Sequence, residues 1–190
     1  MKKLFLIALF FSLLNMKAQD NNQQASPEKN ISGVQTGIFG IWGYNEFRLN
    51  NKFVLHSELG FDFNYANGTG YPKPLFIVSP KIRVSPRFYY NFSQRLEKGK
   101  NISKNSGNFF SLPVDYIPSP VVYSNYKDVS ITPMLLIVPT WGIRRNYNQW
   151  DFEAGIGLGG IYYFVPRNNF GIKPYWEKTL NLHLRFGYSF

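Results

Sequence analysis

The 190-residue chain contains no cysteine. That absence excludes disulfides, thiolate metal centres and anchoring through a lipidated cysteine, so an exported form must draw its stability from packing or from a bilayer. Histidine is scarce as well, limited to His56 and His183, and no metal-ligand spacing, phosphate loop or nucleophile elbow occurs. Long apolar runs are missing after position 14. The single run, Leu4 to Leu14, covers eleven residues, well short of the roughly 20 that a helix needs to cross a bilayer. No transmembrane helix is therefore expected. Carboxylates are few, 11 against 21 Lys and Arg, giving a formal charge of +10.

The same apolar run has another meaning. Lys2 and Lys3 precede it, and Asn15-Met16-Lys17-Ala18 follows, which is the layout of a secretory signal with cleavage after Ala18. Residues 1–18 are expected to leave on export, taking three lysines and lowering the formal charge from +10 to +7. A pI near 9.7 would suit a nucleic-acid binder, but an exported chain without a nucleic-acid-binding motif has no such partner. Residues 19–32 read as a short polar lead-in, and 33–190 as one domain.

What the chain has in abundance is aromatic residues, with 18 Phe and 13 Tyr beside 16 Gly, a composition suited to strands. The alternation is clearest at the end. From Leu180 to Phe190, Leu180, Leu182, Leu184, Phe186, Tyr188 and Phe190 share one face, and Asn181, His183, Arg185, Gly187 and Ser189 share the other. Only an extended strand has that period of two.

The pattern recurs along the chain. Phe53 to Tyr65 sets Phe53, Leu55, Leu59, Phe61, Phe63 and Tyr65 against Val54, His56, Glu58, Asp62 and Asn64. Val78 to Phe92 sets Ile82, Val84, Phe88, Tyr90 and Phe92 against Lys81, Arg83, Arg87 and Tyr89, with Pro80 and Pro86 predicting bulges or kinks. Phe110 to Tyr116 and Val129 to Tyr147 follow as strands. So does the run from Trp150, which alternates Phe152, Ile156 and Leu158 with Asp151, Glu153 and glycines. In Gly33 to Leu49 the apolar face switches, which predicts a bulge or tight hairpin near Gly40 to Asn45. Loops are expected at 66–76, 117–128 and 165–177, and polar turns near 50, 93–107 and 147.

Strands that are greasy on one face and polar on the other, closing on a C-terminal Phe, resemble the bacterial outer-membrane β-barrels, in particular the transmembrane domain of the OmpA family. The resemblance covers Gly33 to Phe190. It implies an all-β fold: a closed, antiparallel, up-and-down transmembrane β-barrel of eight strands with a filled polar interior. Seven strands are clear, and even parity places a short eighth within Ile31 to Gly40. The resemblance further implies a cell outer-membrane location in Gram-negative bacteria and contact with outer-membrane lipid. It also implies delivery to the barrel assembly machinery through Phe186, Tyr188 and Phe190, and a monomeric state.

Under this arrangement the interior carries Glu46, Glu58, Asp62, Asp115, Asp151 and Glu153 against Arg48, Lys81, Arg83, Arg87, Arg144 and Arg185, with His56 and His183 among them. Eight strands enclose a space just wide enough to be filled by side chains. Charges there must be paired, because an isolated buried ion costs several kcal/mol. Six acids facing six bases suit a salt-bridged plug, which favours a structural or surface-contact role without catalysis and without a cofactor. Two other readings compete. One is a narrow, porin-like pore. The other is a lipid A-modifying enzyme, a class found among small barrels, which uses a His with a Ser and an acid. Here Ser57 points away from His56, and Ser189 is distant from His183 along one strand, so neither pair joins base to nucleophile. The basic turn 95–104 reads either as a solvated surface or as a site attracted to anionic lipid or cell-wall polymer.

Overall fold

The computed structural model describes residues 25–68, 70–165 and 173–190; the expected signal segment 1–18 and most of the last loop lie outside them. The chain forms one antiparallel sheet of eleven strands: β1 (Asn30–Gly37), β2 (Gly40–Arg48), β3 (Phe53–Ala66), β4 (Leu75–Tyr89), β5 (Asn108–Ser111), β6 (Val114–Ile117), β7 (Tyr123–Ser124), β8 (Met134–Ile137), β9 (Thr140–Tyr147), β10 (Trp150–Tyr163) and β11 (Tyr175–Ser189). A ring of eight closes through β11–β1–β2–β3–β4–β5–β9–β10 and back to β11. The strand expected within Ile31 to Gly40 is β1, which starts at Asn30 and pairs with both β2 and β11.

The count of eleven reduces to eight continuous staves. β5 and β6 meet β4 in one unbroken register, Arg87 facing Ser111 and Arg83 facing Asp115. β9 and β8 likewise share one register against β10. The breaks between them fall at Pro113 and Pro139, which lack an N–H for the ladder. A proline removes the donor on one side of its strand only. For that reason the bulges expected at Pro80 and Pro86 are absent from the β3–β4 ladder, which runs without interruption from Phe53–Phe88 to Ala66–Leu75. Both prolines direct their missing donor to the other neighbour. There β6 ends at Ile117, beside Pro118, and pairing with β4 resumes at β7 with Ile77 facing Ser124.

Two further expectations are corrected. The hairpin placed near Gly40 to Asn45 is the two-residue turn Ile38-Phe39, with Gly37 facing Gly40. The change of face occurs at that turn. Gly40 lies within the ladder, where a Cβ would sit 2.3 Å from the Phe61 carbonyl oxygen, so glycine serves close strand approach there. Phe92, expected on the outward face, is 3 % exposed. It opens a short helix, α1 (Phe92–Glu97), that turns the chain back beneath the ring.

The segment 93–107 is correspondingly more than a solvated turn. After α1, a 3₁₀ turn at Ser103–Asn105 places Asn105 and Ser106 in the interior, fully buried. Phe92 packs with Val54, Tyr89 and Phe109, and Ala25 and Ile102 close the cluster. Part of the expected lead-in joins this cap. The Glu28 N–H donates to the Asn105 side-chain oxygen at 2.9 Å, and Glu28 accepts from the Lys104 N–H. Both described chain ends and the turns near 50, 93–107 and 148 lie at this end of the ring, and the longer loops lie at the other.

Every stave presents exposed apolar residues outward. Val34, Ile41, Leu59, Val84, Leu112, Trp141, Ile156 and Leu184 contribute one example each, and Leu158 and Leu182 are 72 % and 63 % exposed. Aromatic residues edge the belt: Tyr65, Tyr123 and Trp176 toward the loops, Phe47, Phe53, Tyr90 and Trp150 toward the cap. Leu184 and Phe186 face out and Arg185 faces in, as the alternation requires.

Candidate functional site: the ion-paired interior

The inward face inverts the outward one. Strand alternation carries Glu46 on β2, His56 and Glu58 on β3, Lys81, Arg83 and Arg87 on β4, Asp115 on β6, Arg144 on β9, Asp151 and Glu153 on β10 and Arg185 on β11 into the interior of the ring. All of these are buried. Ions so placed require partners, and the ring supplies them from across its width.

Arg87 and Glu46 form the hub. One Arg87 Nη donates to Glu46 at 2.8 Å and to Glu153 at 2.7 Å, and the second donates to Glu153 at 2.9 Å. Glu46 also accepts from Asn105 Nδ2 at 2.6 Å and meets His56 Nδ1 at 3.1 Å and an Arg144 Nη at 3.3 Å. Arg144 donates to the Tyr44 hydroxyl at 2.5 Å and reaches Asp151 at 3.3 Å, with its guanidinium over the Tyr44 ring. Asp151 in turn accepts from Gln35 Nε2 at 2.7 Å and from the Tyr44 hydroxyl at 2.9 Å.

His56 links this hub to a second group. Its Nε2 lies 2.6 Å from Glu58, which also pairs with Arg185 and lies 3.6 Å from Arg83. Arg83 grips Asp115 with two parallel bonds of 2.5 and 2.6 Å, the bidentate geometry that makes arginine–carboxylate pairs strong. Nearer the loops, Lys81 pairs with Asp62 at 2.6 Å above the Trp42 ring, and Arg185 covers the same ring. His183 approaches Glu153 at 3.3 Å without hydrogen-bond alignment, and its other nitrogen meets Asn181.

One expected member does not join. Arg48 has the inward parity but sits at the cap end, where its guanidinium donates to the Ser26 hydroxyl and the Pro27 carbonyl. The charge roster is therefore six carboxylates against Lys81, Arg83, Arg87, Arg144 and Arg185, with two imidazoles between them. Tyr89, expected on the inward face, joins them at Glu46, and four further members were not singled out from the sequence: Gln35, Trp42, Tyr44 and Asn105. Trp42 and Tyr44 lie at even spacing from Glu46, a signal present in the alternation, whereas Gln35 comes inward opposite Trp42 only once the Ile38-Phe39 turn is placed. Asn105 had no such signal, because it arrives through the 3₁₀ turn of the cap.

The C-terminal residues lie on the outer face. Phe186 and Phe190 are exposed, Trp150 stacks on Phe186, and Tyr188 bonds Gln149. Among the described residues no group of three or more His, Asp or Glu side chains is arranged to hold a metal. His56 and Ser57 point to opposite faces of β3. Comparison with family models, with curated proteins and with solved structures found no match.

Proposed function

We propose that the chain is an integral β-barrel of the bacterial outer membrane, exported by its N-terminal segment, with a structural or surface-contact role and no catalytic activity. The observation that carries this reading is the belt of exposed apolar residues drawn from all eight staves. A contiguous apolar surface of that extent is a liability in water and a requirement in hydrocarbon. Closure of the ring adds support, since a bilayer tolerates a sheet only when no edge is left unpaired. Aromatic rims on both sides of the belt match the preference of Tyr and Trp for the membrane–water interface.

The interior supports a plug in preference to a pore. Arg87, Arg144, Glu46 and Glu153 cross-link strands on opposite sides of the ring, and the aromatic cluster around Phe92 lies beneath them. Such ions are already neutralised by one another across the ring. The same engagement holds His56 between two carboxylates and sets His183 beside Glu153 and against Asn181, neither hydrogen-bonded to a hydroxyl among the described residues, which supports the absence of acyl-transfer chemistry.

The test joins two measurements. In the outer-membrane fraction, unheated protein should migrate faster on a gel than boiled protein, and the purified protein should give no conductance steps in a planar bilayer. Recovery in the soluble periplasm would overturn the membrane reading; a steady conductance would replace the plug with a channel.

A further inference from the structure

Three prolines break the wall along one line of the register. Leu112 faces Pro86, Pro113 faces Val138 and Pro139 faces Leu158, so each break is one residue along the register from the next. The Leu112 N–H donates to the Pro86 carbonyl at 3.1 Å, but Pro86 has nothing to return. In the same way the Val138 N–H reaches the Pro113 carbonyl at 3.2 Å, and Pro113 cannot reciprocate. Because neighbouring residues of a strand bond to opposite sides, Pro139 withholds its donor from β10. Three consecutive seams of the ring each lose one ladder bond along a single line.

Directly behind that line the interior is hollow. A cavity of about 110 Å³ is walled by Pro113, Leu136 and Val138 on one side and by Thr179 and Asn181 on the other, with Arg83 and Asp115 at its edge. Its charged groups are satisfied by each other, Arg83 with Asp115, and Asn181 lies against His183 and Thr140. They are poorly placed to hold a charged ligand. Beside these groups, Pro113, Leu136 and Val138 give the hollow an aliphatic side that an apolar guest can cover.

We propose that this hollow is a binding site for the hydrocarbon chain of a membrane lipid, which reaches it sideways through the wall along the line of Pro86, Pro113 and Pro139. The inference rests on the membrane reading above. The outer surface at that line is apolar, with Leu112 and Leu158 exposed beside the exposed Pro86 and Pro139, so a chain leaving the bilayer meets no polar barrier there. A ladder short of three donors opens at lower cost than an intact one.

The experiment places the full chain in vesicles containing phosphatidylethanolamine with a photoactivatable diazirine on one acyl chain, followed by peptide mapping. Crosslinks are expected on outward Leu158 and Leu182 and also on inward Leu136, Val138 and Thr179. Labelling of the outward residues alone overturns the site and leaves the membrane reading standing, whereas absence of label from both overturns the two together. Thr179→Trp, which fills the hollow, should abolish the inward crosslinks. Should that variant fail to fold, Pro86→Ala combined with Pro139→Ala decides the route. Restoring two donors away from the hollow should lower inward labelling at least threefold with outward labelling unchanged, and unchanged inward labelling would overturn access through the wall.

Discussion

The cap-side half of the interior and the loop-side half are built on the same staves and differ in almost everything else. Toward the cap, Arg87, Glu46, Arg144 and Glu153 interlock above Phe92, Tyr89 and Phe109, and the wall around them lacks a ladder donor at Pro86 alone among the prolines of the line. Toward the loops, ion pairs become couples such as Lys81–Asp62, the wall is broken at Pro113 and Pro139, and a cavity remains. The difference teaches that a multiply bonded ion cluster and a more fully bonded ladder reinforce one another. Side chains that reach across the ring fix strand positions, and fixed strands hold the ions at bonding distance.

Removing the hub should weaken the cap side most. Glu46→Ala strips a partner from Arg87, Arg144, His56 and Asn105 at once and leaves buried cations undercompensated, an effect of about 3–5 kcal/mol. Urea unfolding of the protein folded in lipid vesicles should show the loss as a lower midpoint with the slope retained. A change below about 1 kcal/mol would mean the cluster contributes little to holding that half together. Phe92→Ala comes next, at about 3 kcal/mol, because it empties the aromatic floor beneath the ions. Its effect should also appear as faster proteolysis of segment 93–107, which Phe92 tethers.

Legibility in the sequence divides along the same line. Alternation alone put Glu58, Arg83, Arg87, Glu153 and Arg185 on one face, because period two is a local property of any extended strand. It missed Asn105 and assigned Phe92 to the wrong face, since both depend on a reversal of chain direction between β4 and β5 that alternation does not encode. Arg48 has the correct parity yet joins Ser26 and Pro27, because parity says which way a side chain points and not how far along the ring it sits. The prolines show the same limit. Their presence was visible, but the side from which each withholds its donor follows only from which strand lies where.

The loop-side couples offer a smaller and more diagnostic test. Arg83→Leu alone leaves Asp115 buried without its bidentate partner and removes the longer contact to Glu58, which keeps Arg185 and His56, and should destabilise clearly. Adding Asp115→Leu should recover much of that loss, since an apolar pair of similar size carries no desolvation penalty. On the cap side, pairing Arg87→Leu with Glu153→Leu should give no such recovery, because Glu46 also depends on Arg87. Equal recovery at both places would erase the distinction between a bidentate couple with one longer contact and an interlocked cluster.

The smallest effect concerns the wall itself. Pro86→Ala supplies a donor opposite the Leu112 carbonyl, whose own N–H already bonds back across the seam, so the new bond completes a pair that is geometrically in place. A completed bond of this kind is worth about 1 kcal/mol, or roughly a fivefold slowing of amide exchange at Leu112 and Val138. Pro80→Ala makes the matching control on the same face of β4. Its restored donor points to Pro118, where β6 has ended and the register shifts before β7, so no carbonyl is held opposite and exchange should be unchanged. Slowing by Pro86→Ala and none by Pro80→Ala would show that the line of prolines weakens a wall otherwise in register. Equal slowing by both would show that this wall is loose for a reason other than its missing donors.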